Sequence, residues 1–442
     1  MMVQAERAKG LLISAPFTSS GKTSVTLGLL RAFARRGLRV APAKIGPDYI
    51  DPRYHEAACG EISTNLDGWA MRPALIAALA RQLSDGADLV VAEGMMGLFD
   101  GAAIPNAGGQ GTSAEIARLT GWPVLLVVDG SALAQSIAPL VQGFRDYDAG
   151  LTLAGVIVNK TGGPKHQEML RDALAPLGVD VLGQIPQQSD ISLPSRHLGL
   201  VQAEEQPELE TIVEQLADLL ERHCNLDAIA AAAAPMAGTV AAPDQIPHMR
   251  PLGQRIALAQ DVAFRFTYRH LLDGWRQQGA EILPFSPLAD QAPDKNADAI
   301  YLPGGYPELH AGRLAGAQHF KSGLAAAAER GAAVFGECGG YMVLGRRLVD
   351  ADSVSHEMAG LLNVETSFAE QQLHIGYHAL EAQDTFAAGE LGAKFHAHEF
   401  HFARVISEQG KPLFKNLADN SVLGLRNASV AGSFAHLIDI AE

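Results

Sequence analysis

"LLISAPFTSSGKTSVTLGLL" (Leu11–Leu30) is the stretch that decides the fold of the first half of this 442-residue chain. An apolar run typical of a buried parallel strand passes through a turn rich in Ser and Thr into a segment with helical periodicity. The turn ends in Gly21, Lys22 and Thr23, as a phosphate-binding loop does, although Pro16 replaces the leading glycine of the usual pattern. This context favours a nucleotide site over an ordinary capped helix.

The loop also predicts how ATP would be held. Backbone N–H groups at the start of the helix would face the phosphates, Lys22 would reach the outer phosphates, and Thr23 would be a ligand of Mg²⁺. Ser20, Gly21 and Ser24 complete the expected nucleotide-binding segment. ATP and Mg²⁺ are therefore the cofactors that the sequence predicts.

Further along the chain, apolar runs end in polar side chains. "ADLVVAE" ends in Glu93, "WPVLLVVD" in Asp129 and "LAGVIVN" in Asn159. Strands that alternate with helical segments predict a doubly wound parallel sheet, whose ligands bind beyond the carboxyl ends of the strands. At such a strand end, Glu93 is expected to hold or orient Mg²⁺.

The segment "AKIGPDYIDPRYHEAACG" (residues 43–60) follows the second strand and is dense in polar and aromatic residues. Lys44 is expected to meet phosphate, and Asp48 and Asp51 to bind metal or to position a substrate. The alternative is that both aspartates only form turns. Pro47 and Pro52 lie so close together that the segment is predicted to be a loop rather than a regular helix.

Composition narrows the function classes. Hydrophobic residues make up 48% of the chain and charged residues 19%, as in globular enzymes, and the net charge of −15 argues against nucleic acid as a partner. No apolar run is long enough to cross a membrane, and the first residues do not look like a signal peptide. Cys59, Cys224 and Cys338 lack metal-ligand spacing and are too few for a disulfide framework, so the reducing cytoplasm is expected.

A stretch rich in Ala and Pro divides the chain. We predict an ATP-binding domain at residues 1–228, a linker at residues 229–250 and a second α/β domain at residues 251–442.

The second domain contains a cysteine on a tight turn. In "AAVFGECGGYMVLG" (residues 332–345) a strand runs into Cys338, two glycines and a helix, which is the arrangement of a nucleophile elbow. This geometry predicts a thiol that is open to solvent, with a pKa lowered by the helix N-terminus. His436 is the best candidate for the base, and the backbone N–H groups of Gly304, Gly305 and Gly339 are expected to form the oxyanion and glutamine pocket.

Four motifs together carry a family resemblance. "LLISAPFTSSGKT", "KIGPDYIDPRYH", "AEGMMGLFDG" and "VFGECGGYMVLG" closely resemble the a,c-diamide synthases of corrinoid biosynthesis, over nearly the whole chain. The resemblance implies an N-terminal P-loop domain similar to dethiobiotin synthetase, with a doubly wound parallel sheet, joined to a C-terminal class I (triad) glutamine amidotransferase-like α/β domain. It further implies that ATP activates the a and c acetate carboxylates of a corrinoid acid as acyl phosphates, that ammonia comes from L-glutamine, and that the enzyme is a homodimer.

The resemblance also assigns roles to residues. Asn159 resembles the residue that reads adenine in this group. Several side chains match or adjoin family positions that handle Mg²⁺, the intermediate or the corrinoid substrate: Lys44, Asp48, Tyr49, Asp51, Glu93 and Asp100. Triad domains often carry Glu two residues beyond the catalytic His. Ile438 holds that place here, so the third member of the catalytic set stays open.

Several alternatives remain at this level. The acceptor is expected to be hydrogenobyrinic acid, but cobalt-containing cobyrinic acid, cobyric acid or another tetrapyrrole would need the same chemistry. A different class of function is a P-loop ATPase switch with an inactive amidotransferase domain. The histidine-rich run "FHAHEFHF" (residues 395–402) is compatible with a transition-metal site, but strand alternation points His398 and His401 to opposite faces. A role in the amidotransferase core or near the corrin acids is therefore favoured.

Overall fold

The computed structural model describes residues 8–106, 109–188, 191, 193, 195–196, 199–237 and 248–441. The chain divides into two compact units, Met1–Ile246 and Pro247–Glu442. Each unit has its own main sheet.

The N-terminal unit alternates strands and helices. In chain order it contains β1 (Lys9–Ser14), α1 (Lys22–Arg35), β2 (Val40–Ile45), α2 (Asp51–Cys59), β3 (Thr64–Leu66), α3 (Pro73–Ser84), β4 (Leu89–Glu93), α4 (Ser113–Thr120), β5 (Val124–Asp129), α5 (Ile137–Asp146), β6 (Leu153–Thr161), α6 (Pro164–Leu174), β7 (Val181–Pro186), β8 (Ser195–Arg196), β9 (Gly199–Leu200), α7 (Leu209–His223) and α8 (Leu226–Ala232).

The main sheet of this unit is parallel and has seven strands in the order β3-β2-β4-β1-β5-β6-β7. Strands β2, β3 and β4 lie on one side of β1, with β4 inserted between β1 and β2, and strands β5, β6 and β7 lie on the other side. Such a change of side creates a binding crevice at the carboxyl ends of the strands. β1 lies at the centre, where Leu11, Leu12 and Ile13 are fully buried. The predicted parallel sheet is confirmed, although β6 continues past Asn159 to Thr161.

One local prediction in this unit is wrong. The second half of the segment that follows β2 is not a loop, because α2 begins at Asp51 and continues to Cys59. Pro52 stands in the first turn, where the missing N–H would have no partner within the helix, so it starts the helix instead of breaking it. As a result, Asp51 and His55 lie one turn apart on a helix and are both buried.

The first part of the segment that composition predicts to be a linker is ordered structure of the N-terminal unit. Residues 226–232 form α8, and Ala234 makes an isolated antiparallel bridge with Gly10. The amide of Ala237 donates to the carbonyl of Thr120 over 2.7 Å. Residues 238–247 of the predicted linker lie outside the described residues.

The C-terminal unit combines parallel and antiparallel strands. It contains β10 (Arg255–Ala259), α9 (Arg269–Gln277), β11 (Glu281–Phe285), β12 (Ala299–Leu302), α10 (Ala311–Gly316), α11 (Gln318–Glu329), β13 (Ala333–Glu337), α12 (Gly339–Leu344), β14 (Arg347–Val349), β15 (Ser355–Glu357), β16 (Val364–Ser367), β17 (His374–Ala382), β18 (Lys394–His401), β19 (Arg404–Glu408), β20 (Lys411–Asn416), β21 (Val422–Asn427), β22 (Val430–Ser433) and β23 (His436–Ile440).

Its ten-stranded sheet has the order β11-β10-β12-β13-β22-β21-β20-β17-β18-β23. Strands β10 to β13 and β22 run parallel, and the remaining pairs are antiparallel. A four-stranded sheet, β15-β14-β16-β19, accompanies it. The core between these layers is rich in aromatic side chains, among them Phe264, Phe320 and Tyr341. Among the described residues, no helix combines the length and apolarity that crossing a bilayer requires.

Candidate active sites

The predicted phosphate loop closes tightly onto β6. Gly21 ends the loop in the left-handed region at φ 91°, just before α1 begins at Lys22. A Cβ on Gly21 would lie only 2.1 Å from Nδ2 of Asn159, so glycine is required for both its conformation and its space. The same amide nitrogen donates to the carbonyl of Ser20 over 3.0 Å. Asn159 therefore holds the loop in shape, and its reading of adenine stays a prediction.

Glu93 is the centre of a buried polar cluster at the carboxyl end of β4. Its Oε1 accepts hydrogen bonds from Oγ1 of Thr23 at 2.6 Å and from Nζ of Lys44 at 3.0 Å, while its Oε2 lies 2.8 Å from Nε2 of His55. Glu93 itself is fully buried. Burial alone would raise the pKa of Glu93, but Lys44 and the hydrogen bond with His55 hold it below its usual value.

Lys44 links this cluster to the start of α2. Its ammonium hydrogen-bonds to Asp51 and lies 3.9 Å from Oδ2 of Asp48. Burial alone would lower the pKa of Lys44, but the surrounding carboxylates outweigh burial and keep the pKa above its ordinary value. Burial and the neighbouring Asp48 raise the pKa of Asp51 to about 8. The group is thus a set of carboxylates held around one buried cation.

The donor set of this cluster fits Mg²⁺. Hydroxyl and carboxylate oxygens are the ligands that this ion prefers, and the oxygens of Thr23 and Glu93 already converge to 2.6 Å. Oδ2 of Asp48, the third predicted ligand, lies 3.9 Å from Nζ of Lys44, which also contacts Oε1 of Glu93 at 3.0 Å. Lys22 extends toward the same end of the sheet, where its Nζ donates to the carbonyl of Met96 over 3.2 Å. Burial, and then the nearby charge of Lys44, lowers the pKa of Lys22.

The remaining predicted substrate residues have local roles in this structure. Oδ2 of Asp100 accepts the amide of Gly97 at 2.9 Å and so closes the turn that follows β4. Within that turn Met96 has φ 50°, a strained value for a residue with a side chain. Tyr49 is half-buried between the second strand and α2, and Ser24 lies in the first turn of α1. The contacts of Asp100 and Tyr49 with a substrate, and of Ser24 with the nucleotide, stay predictions.

In the C-terminal unit, the predicted elbow is present. Cys338 connects β13 to α12 with φ 45° and ψ −104°, a conformation that few residues with a side chain adopt. Close packing requires the second glycine after Cys338, because a Cβ on Gly340 would lie 1.9 Å from the carbonyl oxygen of Leu302. The strained turn fixes the direction of the Cys338 side chain.

The predicted state of the thiol is wrong. Cys338 is only 3% exposed, and this burial raises the pKa of its thiol, an effect to which Glu308 adds. The backbone N–H of Gly339 acts in the opposite direction but does not outweigh burial. A helix as short as α12 contributes little against the loss of hydration. The thiol is therefore protonated at rest and needs a base.

This state predicts a pH dependence for alkylation. We expect iodoacetamide to modify Cys338 slowly at pH 7 and about tenfold faster with each pH unit up to about pH 9, because only the thiolate reacts. Peptide mapping by mass spectrometry would follow each cysteine separately, with Cys59 as an internal comparison, since burial raises its pKa to about 11. A rate for Cys338 that is already constant above pH 7 would contradict a raised pKa.

The predicted base and oxyanion groups meet around this thiol. A Cβ on Gly304 would lie 2.4 Å from Cε1 and 3.0 Å from Nε2 of His436, and 3.3 Å from Cβ of Cys338. Thus the Nε2 edge of the imidazole and the nucleophile face the same glycine. A Cβ on Gly339 would lie 3.0 Å from the amide nitrogen of Gly305, which brings two backbone amides of the predicted oxyanion pocket together.

The histidine-rich strand lies beside the base. His398 is directly opposite His436 in the pairing of β18 with β23, whereas His401 stacks on His374, in agreement with the predicted alternation. Glu399 accepts hydrogen bonds from His401 at 2.8 Å and from His378 at 2.9 Å. The sequence interpretation overlooked this carboxylate.

Among the described residues, one group of side chains could hold a metal ion. It consists of His374, Glu399 and His401, whose potential ligand atoms lie within 4.8 Å of one another. The rings of His374 and His401 are stacked at an interplanar angle of 12°, so their in-plane lone pairs do not converge on one point. In the C-terminal unit, therefore, Glu399 joins His378 and His401 by hydrogen bonds, and His374 stacks on His401.

Comparison with known proteins agrees with both sites. Residues 11–201 match the CobQ/CobB/MinD/ParA nucleotide binding domain, and residues 255–440 match the CobB/CobQ-like glutamine amidotransferase domain. Over 438 residues the chain is 53% identical to the hydrogenobyrinate a,c-diamide synthase of Brucella suis biovar 1, covering 98% of each chain. This chain belongs to the hydrogenobyrinate a,c-diamide synthases. The enzyme of that name from Rhodobacter capsulatus is 52% identical and covers 98% of this chain and 99% of its own, and that from Rhizobium meliloti is 50% identical, covering 98% and 100%.

Membership in the hydrogenobyrinate a,c-diamide synthases confirms the predicted family, and the two domain matches confirm its pairing of a nucleotide-binding domain with a glutamine amidotransferase domain. Two side chains of this synthase escaped the sequence interpretation. His55 touches Glu93, which its position one turn after Asp51 would have suggested had α2 been recognised. Glu337 lies behind the imidazole of His436, and only its place just before the nucleophile pointed to it.

Proposed function

We propose that this enzyme amidates the a and c acetate carboxylates of hydrogenobyrinic acid, using ATP and L-glutamine and passing through acyl phosphates. The observation that carries the proposal is the presence of two complementary sites in one chain. One is a phosphate loop whose Thr23 meets Glu93, and the other is a strained elbow whose Cys338 faces the same glycine as His436.

In the N-terminal unit, the amides at the start of α1 and the side chain of Lys22 would bind the phosphates of ATP. Thr23, Glu93 and Asp48 would hold Mg²⁺, which neutralises charge on the transferred phosphoryl group. Lys44 and Asp51 would orient the carboxylate of the substrate. A free carboxylate has a poor leaving group, and phosphorylation supplies a better one.

In the C-terminal unit, Sγ of Cys338 attacks the side-chain amide carbon of glutamine while Nε2 of His436 takes the thiol proton. The N–H groups of Gly305 and Gly339 stabilise the oxyanion that forms. His436 returns the proton to the leaving nitrogen, so ammonia departs and a glutamyl thioester remains, which water then hydrolyses. Ammonia attacks the acyl phosphate, phosphate leaves, and the amide is complete.

The decisive test compares acceptors. Purified enzyme with ATP, Mg²⁺ and L-glutamine would receive hydrogenobyrinic acid and cobyrinic acid in parallel at equal, limiting concentrations, and mass spectrometry would count the amidations. We expect two amidations of the cobalt-free acid and few of the other, because the relatives above carry the name of the cobalt-free substrate.

The other outcomes of this comparison are informative. A preference for cobyrinic acid would keep the mechanism and change the substrate. Glutamine hydrolysis without amidation of either acid would mean that the acceptor is wrong. ATP hydrolysis without any glutamine hydrolysis would favour a P-loop switch.

Two further expectations belong to this proposal. The three cysteines are free thiols, in keeping with a cytoplasmic enzyme. The homodimer implied by the family resemblance would be tested by light scattering of the purified protein.

A further inference from the structure

The catalytic pair lacks a carboxylate at the usual place. Ile438, two residues beyond His436, is fully buried, and its carbonyl accepts a hydrogen bond from Nε2 of His270 at 2.8 Å. Asp439 lies three residues beyond His436, past an irregularity in the pairing of β23 with β18, and its Oδ1 accepts the backbone amide of Ile440. The usual position, Ile438, therefore supplies no carboxylate to the imidazole.

A carboxylate reaches the imidazole from another strand. Glu337 is the last residue of β13 and immediately precedes the nucleophile. Its Oε2 lies 3.7 Å from Nδ1 of His436, and both side chains are buried, at 3% and 2% exposure. Distances of this kind often shorten when substrate binds.

Glu337 is also held firmly in place. The hydroxyl of Tyr301 on β12 donates to Oε2 over 2.5 Å, and the backbone amide of Leu437 donates to Oε1 over 2.9 Å. The second bond comes from the residue directly after the base, so it fixes the carboxylate relative to β23. These two donors restrict the rotation of the buried carboxylate.

The two edges of His436 therefore have different partners. The edge that carries Cε1 and Nε2 lies against Gly304, as Cβ of Cys338 does, and the Nδ1 edge faces Glu337. This is the order of a nucleophile, a base and an orienting carboxylate, which is recognised by geometry and not by sequence position.

We propose that Glu337 is the positioning residue that completes the catalytic set. It keeps the proton of neutral His436 on Nδ1, which leaves the Nε2 lone pair free to accept the proton of Cys338. When that proton arrives, the ionised carboxylate stabilises the imidazolium and remains ionised itself. The proton then passes from Nε2 to the departing ammonia. The inference rests on the proposed glutaminase activity and names the residue that supports its base.

The test is Glu337→Gln, assayed as glutamine hydrolysis by the full-length enzyme. We expect kcat to fall by about 10²–10⁴-fold with KM little changed, because the amide keeps the shape of the side chain but loses the charge that orients the base. Amidation supported by ammonium chloride is expected to continue. Glu337→Asp, which restores a carboxylate, is expected to recover part of the lost kcat.

Two further measurements separate a positioning role from a structural one. Tyr301→Phe leaves Glu337 in the chain but removes one of its hydrogen-bond donors, so it should lower kcat less than Glu337→Gln does. This variant keeps the inference testable if Glu337→Gln folds poorly. Histidine-selective ¹⁵N NMR should show the Nδ1–H tautomer of His436 in the unaltered enzyme and its loss in Glu337→Gln.

An unchanged kcat in Glu337→Gln would overturn the inference. The inference would also be overturned if Glu337→Gln and Glu337→Asp lost kcat to a similar extent and both had lowered melting temperatures, because Glu337 would then serve the packing of the fold. Absence of glutamine hydrolysis in the unaltered enzyme would instead remove the proposed function.

Discussion

Replacing Cys338 by Ala is expected to abolish glutamine hydrolysis and glutamine-dependent amidation, with a loss of at least about 10⁴-fold in kcat. The reason is that no other thiol among the described residues shares the strained turn and the histidine neighbour of Cys338. Removing the sulfur removes the covalent intermediate, so the remaining groups have no bond to form with glutamine. Release of glutamate, measured by a coupled assay, would give the rate.

Ammonium chloride provides the control for this variant. Amidation supplied with free ammonia does not need the thioester, so Cys338→Ala is expected to keep the ATP-dependent rate of the unaltered enzyme. Cys224→Ala is a matched variant, because Cys224 is a half-buried free thiol outside both sites, and it should keep both activities. Glutamine hydrolysis that survived Cys338→Ala would identify another nucleophile and would end the elbow interpretation.

The burial of Cys338 shows what sequence patterns leave open. The strand, the cysteine and the two glycines predicted the elbow, because the conformation of a tight turn depends on residues next to one another. Exposure of the thiol depends instead on side chains that arrive from distant parts of the chain, such as the buried His436. The short helix α12 suggested a low pKa, but the loss of hydration dominates in the fold.

The N-terminal site was also predicted only in part. The phosphate loop and the polar strand ends predicted a common site for Thr23, Lys44 and Glu93. These side chains do meet, because the carboxyl ends of parallel strands share one edge of the sheet. The missed helix α2 came from counting prolines without considering their position. Pro52 lies in a first turn, and Oδ1 of Asp48 accepts the amides of residues 50 and 51, at 2.7 and 3.1 Å, just ahead of it.

Glu337 could not be predicted from the sequence, for a different reason. A triad acid is usually sought at a fixed spacing from the histidine, and that spacing gives Ile438 here. The carboxylate that meets His436 comes from a residue about 100 positions earlier, and the contact exists only because β13 and β23 bring their ends together. Such a pairing follows from the topology of the sheet and leaves no local pattern in the sequence.

The second large effect is expected for Glu93→Gln. We expect ATP-dependent amidation, assayed with ammonium chloride, to fall by about 10²–10³-fold. Glu93 is the shared acceptor for Thr23, Lys44 and His55, and an amide can replace only one of its two acceptor oxygens. Without the negative charge, Mg²⁺ would lose a ligand, and Lys44 would be paired with the aspartates alone, which would draw it away from the reacting carboxylate.

The matched control for this variant is Glu56→Gln. It makes the same chemical change on the neighbouring helix α2, but Glu56 is half-exposed and pairs with Arg53 on the same helix, so amidation should be unchanged. Glutamine hydrolysis belongs to the other unit and shows that the C-terminal unit is intact in both variants, while their melting temperatures check the fold of the N-terminal unit. Raising the Mg²⁺ concentration should restore part of the rate of Glu93→Gln if the carboxylate binds the ion, because weakened binding is offset by mass action. A lost rate that Mg²⁺ does not restore, with full glutamine hydrolysis, would instead assign Glu93 to holding Lys44 and Thr23 and would remove it from the metal site.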